Sequence, residues 1–444
     1  MGNGTLYKHA MIFTGDPACP FLPDGYMLVE DGKVAAIGGT CPDTALPKAR
    51  VQRDLCGQFL IPGLISTHCH FYGQFARGMP LHQPVGNWQQ VLSRMWWKMD
   101  RALDEEGTYY SAMMGLAEGL KAGTTTYFDH QASPEAIEGS LDLLEQAVRT
   151  AGARACLAYE VTDRNGTDGA RRGIEENIRF LKKARPNQDR IQGLFGLHAS
   201  YTLSQETLEQ CAQAGKALQA GFHLHLAEST ADVCDGYKQY DMHVVERMEQ
   251  AGILNEKTIC AHGVHLDSTQ FEILRRTGVT VAHNCQSNTN NAVGIAPVEA
   301  MLQHGVHVAI GGDGYTYNLF SELGFAGIQQ RLRSGTPAAF PGSAMEQLAF
   351  VNPSRLAETV FGCRIGQLSA GAAADFLILD YDPPTPVTEQ NYLAHLLGGM
   401  DRCLRTVVVA GETVVQDRQC VRFDEREIFA RCREAAARLW ANME

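Results

Sequence analysis

The sequence predicts an α/β fold, a (β/α)8 TIM-like barrel with a small β-sandwich domain built from both chain ends. Three observations lead there. In the middle of the 444-residue chain, eight short apolar runs alternate with helical patterns. Almost every one of those runs ends in His, Asp or Glu. The two chain ends have a different texture, β-branched runs broken by turns. The expected division is residues 1–59 and 361–444 for the sandwich and 60–360 for the barrel, with a closing helix over about 424–442.

The N-terminal segment GYMLVEDGKVAAIGG reads as a hairpin turning at Asp31-Gly32. At the other end, AADFLILDYD and LRTVVVAGETVVQD are strand-like, the second turning at Gly411. Neither end is long enough to bury a core alone, so the two are expected to pair in space. The barrel strands are expected over 60–68, 124–129, 153–161, 191–198, 221–227, 258–262, 280–283 and 307–311. With 45% hydrophobic and 20% charged residues, the chain has the balance of a globular protein with a sizeable core.

The formal net charge of −12 and the absence of a Lys/Arg run exclude a phosphate-tracking nucleic-acid binder. Thirteen cysteines, an odd number with no C-x-x-C spacing, fit a reducing cytoplasm better than an oxidising compartment. The start, MGNGTLYKHAMIF, does not read as a signal peptide. No run reaches the ~20 apolar residues that span a bilayer. The expectation is a cytoplasmic protein with neither nucleic-acid nor membrane partners.

In such a barrel the functional groups stand at the C-terminal ends of the strands. The first strand ends in His68-Cys69-His70, whose imidazoles share a face because alternate residues on a strand point the same way. The second ends in Asp129-His130, the fourth in His198, and the fifth runs from His223 through His225 to Glu228. The sixth ends in His262, with His265 following; the seventh ends in His283-Asn284, and the eighth in Gly312-Asp313-Gly314. A lone His at a strand end is commonly a core or rim residue, and one H-x-H pair is a weak signal. So many at the catalytic end of one barrel is not. Three imidazoles with Asp313 would suit one zinc or iron ion with a water in an open position.

The segments IPGLISTHCHF, HLHLAES, AHGVHL, HNCQSN and IGGDG, in this order and spacing, resemble the amidohydrolase superfamily over nearly the whole chain. The branch is that of the cytosine, guanine and methylthioadenosine/S-adenosylhomocysteine deaminases and the triazine hydrolases (TRZ/ATZ). HFYGQFARGM, WWKMDRALDEE, DHQASP and TDRNG are similar to the SsnA-type aminohydrolases, found near genes of selenium-dependent molybdenum hydroxylases. The resemblance implies that His68, His70, His225 and Asp313 bind the metal. It implies that Asp313 also takes a proton from the attacking water. Glu228 would shuttle that proton to the substrate, and His262 would orient or polarise the attacked centre. His198 is similar to a substrate-contacting His of this branch. His223, deeper on its strand, reads as a core or ligand-supporting residue.

Two details qualify the resemblance. Two-metal members bridge their ions with a carboxylated Lys on strand four, whereas here that strand ends in His198-Ala199-Ser200. One divalent ion is therefore expected, zinc ahead of iron. Second, the branch often has Pro where this chain has Cys285, in a loop that borders the substrate in relatives.

Arg77, Trp97 and Arg164 are the candidate substrate contacts beside His198, the first with Phe71 and Tyr72, the second with Trp96. On a helix the tryptophans would equally serve packing. Glu160, Asp163 and Arg164 could read a heterocycle or pair with one another. The implied activity is hydrolytic deamination of a nitrogen heterocycle, purine- or pterin-like, by a metal-activated hydroxide. Opening of a cyclic amide or dechlorination would use the same site. An inactive scaffold would have shed ligands that this chain retains. By analogy with the family, a homodimer is expected.

Overall fold

A computed structural model describes residues 4–39, 41–81, 83–184 and 190–443. Both ends are β-rich. The N-terminal strands are β1 (Thr5–Phe13), β2 (Phe21–Glu30), β3 (Lys33–Gly39), β4 (Val51–Asp54) and β5 (Phe59–Pro62). The barrel region follows with β6 (Leu64–Cys69), β7 (Thr124–Gln131), β8 (Arg154–Tyr159), β9 (Ile191–Gly193) and β10 (Phe195–Ala199). It continues through β11 (Phe222–Leu226), β12 (Ile259–His262), β13 (Thr280–His283) and β14 (His307–Ile310). The C-terminal strands are β15 (Phe376–Leu379), β16 (Leu404–Val409), β17 (Glu412–Gln416) and β18 (Gln419–Cys420).

The two ends join in one nine-stranded sheet, in the order β18-β17-β16-β15-β5-β1-β2-β3 with β4 beside β1. Strand β5 is the hinge of that union, pairing in parallel with β1 and antiparallel with β15. The expected strand over 60–68 is therefore two strands. Residues 59–62 belong to the terminal sheet, and the barrel begins at Leu64. Both hairpin turns have the two consecutive positive φ values of a primed turn, Asp31-Gly32 (49°, 74°) and Ala410-Gly411 (49°, 76°). They also touch: a Cβ on Gly32 would come within 2.8 Å of the Ala410 carbonyl oxygen, so only glycine fits there. Tyr7, Met27, Val29, Leu60, Phe376 and Val408 form the small core of this domain.

The remaining strands are parallel, in two runs, β6-β7-β8-β9 and β10 to β14. Two seams close them into a barrel. At one, Val161 bridges Leu197 and the His198 amide donates to the Val161 carbonyl. At the other, Cys69 bridges Asp313, and the Gly312 and Asp313 amides both donate to the His68 carbonyl. Strands β9 and β10 are one chain segment that changes partner at Leu194, whose amide donates to Leu157 while the Phe195 amide donates to Gly221. All residues of β6, β7, β8, β11, β12 and β13 are buried, as expected of parallel strands covered on both faces.

A buried ion pair ties the two parts together: Arg154 on β8 donates to Asp375 at 3.0 Å, and Asp375 also accepts the Ala410 amide. The C-terminal helix runs over Glu425–Ala441, capped by Asp424. Its Trp440 indole donates to the Phe75 carbonyl at 2.8 Å, fixing the segment that follows the first barrel strand. Among the described residues no helix is long and apolar enough to cross a membrane.

Candidate metal centre

His68 lies within β6, and His70 follows its end with extended backbone (φ −126°, ψ 99°), so the strand's parity carries both rings into the barrel mouth. Hydrogen bonds then fix which nitrogen of each ring faces inward. His70 Nδ1 donates to the His130 carbonyl at 2.6 Å, and His225 Nδ1 to the His198 carbonyl at 3.0 Å. A carbonyl only accepts, so each Nδ1 carries the proton and each Nε2 presents a lone pair. Those two Nε2 atoms face each other at 3.2 Å. Asp313 Oδ1 is 3.2 Å from His70 Nε2 and 3.5 Å from His68 Nε2. Two lone pairs and a carboxylate at such distances repel unless positive charge stands between them.

The donor set fits zinc. Ligands at ~2.0–2.1 Å in a tetrahedron stand about 3.3 Å apart, close to the separations seen here. His68 Nε2 is buried and has no hydrogen-bond partner among the described residues, and a metal–ligand bond would satisfy it. Without an ion, a proton on His70 supplies part of that positive charge. Burial works against a proton on His70, yet the hydrogen bond and charge of Asp313 carry its pKa up to about 9. Burial drives His68 down to about 3, and His225 well below its ordinary value. Asp313 is itself buried, but the neighbouring imidazoles of His68 and His70 hold its carboxyl well below the usual range.

Groups around the ligands hold their orientation. His68 Nδ1 lies 2.8 Å from His223 Nε2, so His223 supports a ligand rather than joining the cluster. The Ser287 hydroxyl donates to Asp313 Oδ2 at 2.5 Å and the Gly314 amide to Oδ1 at 2.8 Å. Asn288 Oδ1 is 2.8 Å from His262 Nδ1, which turns His262 Nε2 toward Glu228 Oε1 at 3.9 Å. Ala227, His262 and Asp313 all have positive φ (50°, 79° and 54°), a costly backbone for residues with a Cβ. These three bends sit at strand ends and aim Glu228, His262 and Asp313 into one cavity. Burial pushes the Glu228 carboxyl well above its ordinary range, and the charges of Asp313, Asp232 and Glu160 add to this. Such surroundings favour the protonated form of this carboxyl.

Ser287 and Asn288 belong to the short helix Cys285–Asn290. Cys285 Sγ donates to Glu322 Oε1 at 3.1 Å, and the Gln286 amide to the same oxygen at 3.0 Å. The residue that departs from the branch pattern thus clamps the helix that orients Asp313 and His262.

The opposite wall comes from residues 88–102, whose helix widens to a π turn over Leu92–Trp96. Trp97, Arg164 and His198 line the cavity with His70, His225 and Glu228, as do Trp96 and Glu160. Arg164 lies over the Trp97 ring, 4.8 Å from its centre, and donates to Asp100 at 3.0 Å. His198 Nδ1 is held by Thr202 Oγ1 at 2.7 Å, leaving Nε2 toward the cavity 3.8 Å from Glu160.

Arg77 stands apart from these groups. Its guanidinium points outward, 57% exposed, and is held by both oxygens of Glu118. It lines an adjoining cavity with Trp96, Asn291 and Asp313, while a carboxylate on the neighbouring helix Glu105–Lys121 holds its charge. Asp163 is also diverted, accepting from the Ser204 amide and the Thr207 hydroxyl. Asn318 caps the helix Leu319–Ser334, and Phe71 is fully buried core. Sequence reasoning missed Asp100, Tyr201 and Asn291, which line the cavity. Asp100 had a signal: it is one helical turn from Trp97, and a buried Arg164 needs a carboxylate.

A profile described as "Amidohydrolase family" matches residues 59–414. The chain belongs to the amidohydrolase family. The (β/α)8 fold and the reaction type, hydrolysis of a carbon–nitrogen bond other than a peptide bond, go with that membership. This amidohydrolase is 29% identical over 446 residues to the 5'-deoxyadenosine deaminase of Methanosarcina mazei, covering 99% of each chain. It is 31% identical over 435 residues to the 5-methylthioadenosine/S-adenosylhomocysteine deaminase of Desulforudis audaxviator, covering 96% of this chain and 95% of that one. Its fold matches that of an adenosine deaminase from Xanthomonas campestris crystallised with zinc (TM-score 0.88, 22% identity, 99% of both chains).

Proposed function

We propose that this amidohydrolase is an aminohydrolase that replaces an exocyclic amine on a purine-like ring with oxygen and releases ammonia. The observation that carries the reading is the placement of the Glu228 carboxyl, 3.9 Å from His262 and in one cavity with a cluster suited to one cation. Deaminase relatives of full length, 29% and 31% identical, support the purine-like ring. His68, His70, His225 and Asp313 would hold one divalent ion, and their three nitrogens and one oxygen suit zinc. When bound, such an ion acidifies a water at its open position, from pKa 15.7 to about 7.

The chain's own residues do the rest. Asp313, an ionised carboxylate fixed by Ser287 and Gly314, accepts a proton from the attacking water. Glu228 delivers a proton to the ring nitrogen next to the attacked carbon. His262 Nε2, aimed by Asn288, stands beside Glu228 and polarises that carbon's surroundings. The tetrahedral carbon then collapses. The C–N bond breaks as the hydroxyl proton passes by way of Glu228, now an anion, to the amine; ammonia leaves, the ring keeps the oxygen, and the proton held by Asp313 returns to Glu228. Water in and ammonia out balance the step.

The test is ammonia release from amino-purines, amino-pyrimidines and pterins by zinc-loaded protein. Glu228→Gln should keep its metal and lose roughly 10²–10⁴-fold in turnover, the usual weight of a general acid. Near-full turnover by that variant on the best substrate would remove Glu228 from the mechanism.

A further inference from the structure

The cavity wall facing the ligand cluster keeps four polar atoms that have no partner among the described residues: Asp100 Oδ1, Glu160 Oε2, Arg164 Nε and Trp97 Nε1. All four side chains line the cavity that also holds His70, His225, Glu228 and Asp313. Asp100 and Glu160 are only 2% and 3% exposed. A buried donor or acceptor without a partner is costly, and four on one wall mark a surface shaped for a ligand that pairs with them.

Their chemistry specifies that ligand. Two are carboxylate acceptors and two are N–H donors. Arg164 and Asp100 already share one hydrogen bond of 3.0 Å, so each offers its remaining atom from a fixed pair. Glu160 Oε2 lies 3.8 Å from His198 Nε2 and 4.0 Å from His130 Nδ1. The ligand-type atoms of Glu160, His198 and His225 lie within 4.8 Å of one another, so Glu160 stands beside the reacting position. A matching ring needs N–H groups for Glu160 and Asp100, and a carbonyl oxygen or lone pair for Arg164 and Trp97. A lactam or cyclic-urea edge supplies both. An adenine carrying a sugar does not: its ring nitrogens offer only lone pairs, and its one donor group is the amine that leaves. Its sugar hydroxyls lie across the bicycle from the reacting carbon, away from Glu160.

We propose that the site takes an unglycosylated amino-oxo heterocycle, gripped along a lactam or cyclic-urea edge by Glu160, Asp100, Arg164 and Trp97. This rests on the aminohydrolase reading and names its substrate class, which differs from the nucleosides in the names of the relatives.

The test is calorimetric binding to zinc-loaded Glu228→Gln protein, in which turnover is slowed. The probes are guanine, isocytosine, adenine and 5'-deoxyadenosine. The lactam bases should bind at least ~10-fold more tightly than the other two. Adding Glu160→Gln should cut lactam affinity roughly 10- to 100-fold, the weight of a hydrogen bond to a charged group, with zinc content unchanged. Arg164→Met should do the same; the near-isosteric Glu160→Gln decides the matter if that variant fails to fold. Equal or tighter binding of 5'-deoxyadenosine overturns the proposal, as does no binding by either lactam base or a Glu160→Gln variant with undiminished lactam affinity. The two readings fail separately. Ammonia released faster from 5'-deoxyadenosine than from guanine overturns the substrate class alone, while lactam binding without ammonia from any ring overturns the reaction alone.

Discussion

The two walls of the cavity are held in different ways. On the ligand wall, His70 and His225 are pinned by main-chain carbonyls of neighbouring strands, those of His130 and His198. Asp313 hangs from the seam that closes the barrel. On the facing wall, Trp97, Asp100 and Arg164 are set largely by one another, through an ion pair and a cation–π contact, and Glu160 stands near His130 and His198. The first wall can move only if the barrel moves. The second can change by exchange of side chains on one helix and one strand end. On the proposed function, chemistry would reside in the backbone-supported half and selectivity in the half built of side chains, a division that lets one barrel serve many substrates.

The sharpest way to break this contrast is at the ligand wall. Asp313→Ala or His70→Ala should abolish both tight metal binding and activity, measured by elemental analysis and ammonia release. Full activity without metal would undo the division. Next in size is His223→Phe. Loss of the 2.8 Å support to His68 should weaken zinc binding by roughly 10–100-fold while the fold is kept, read by competition with a chelator. Unchanged affinity would make His223 mere filling.

Smaller effects are expected at the clamp behind Asp313. Cys285→Pro removes the thiol bond to Glu322, and stability should fall by about 1–2 kcal/mol, with a few-fold loss of turnover as Ser287 and Asn288 loosen. An unaltered melting temperature and rate would show that the clamp is idle. The smallest effect is a pH dependence. Burial raises the Glu322 carboxyl from 4.5 to about 7. The folded state then binds this proton more tightly than the unfolded chain does. Stability from this group is full at low pH and declines as pH rises through about 4.5 to 7. Glu322→Gln should flatten that part of the melting-temperature profile; an identical slope in both proteins would assign it elsewhere.

How legible the site was depended on how local its signals are. His68 and His70 announce themselves by strand parity, and His225, Glu228, His262 and Asp313 fall at ends of apolar runs whose period marks them as strands. The motifs identified the family from these same residues. The placement of Arg77 was not legible because its partner, Glu118, is 41 residues away. Asp100 was missed because its meaning comes from Arg164, 64 residues on. The split of the expected 60–68 strand could not be read locally either, since residues on both sides of Gly63 are equally apolar and buried.

By itself, then, the sequence determined the barrel, the alliance of its two β-rich ends and the residues at the strand tips, because backbone period and turn chemistry act within a few residues. Only the tertiary structure decided that β5 joins the terminal sheet, that His223 backs His68, that Arg77 pairs with Glu118, and that four side chains with unpaired polar atoms share a cavity with the ligand cluster. Those outcomes depend on which charges and hydrogen-bonding groups meet across the barrel, and the identity of a long-range partner is not written in the local pattern of either residue.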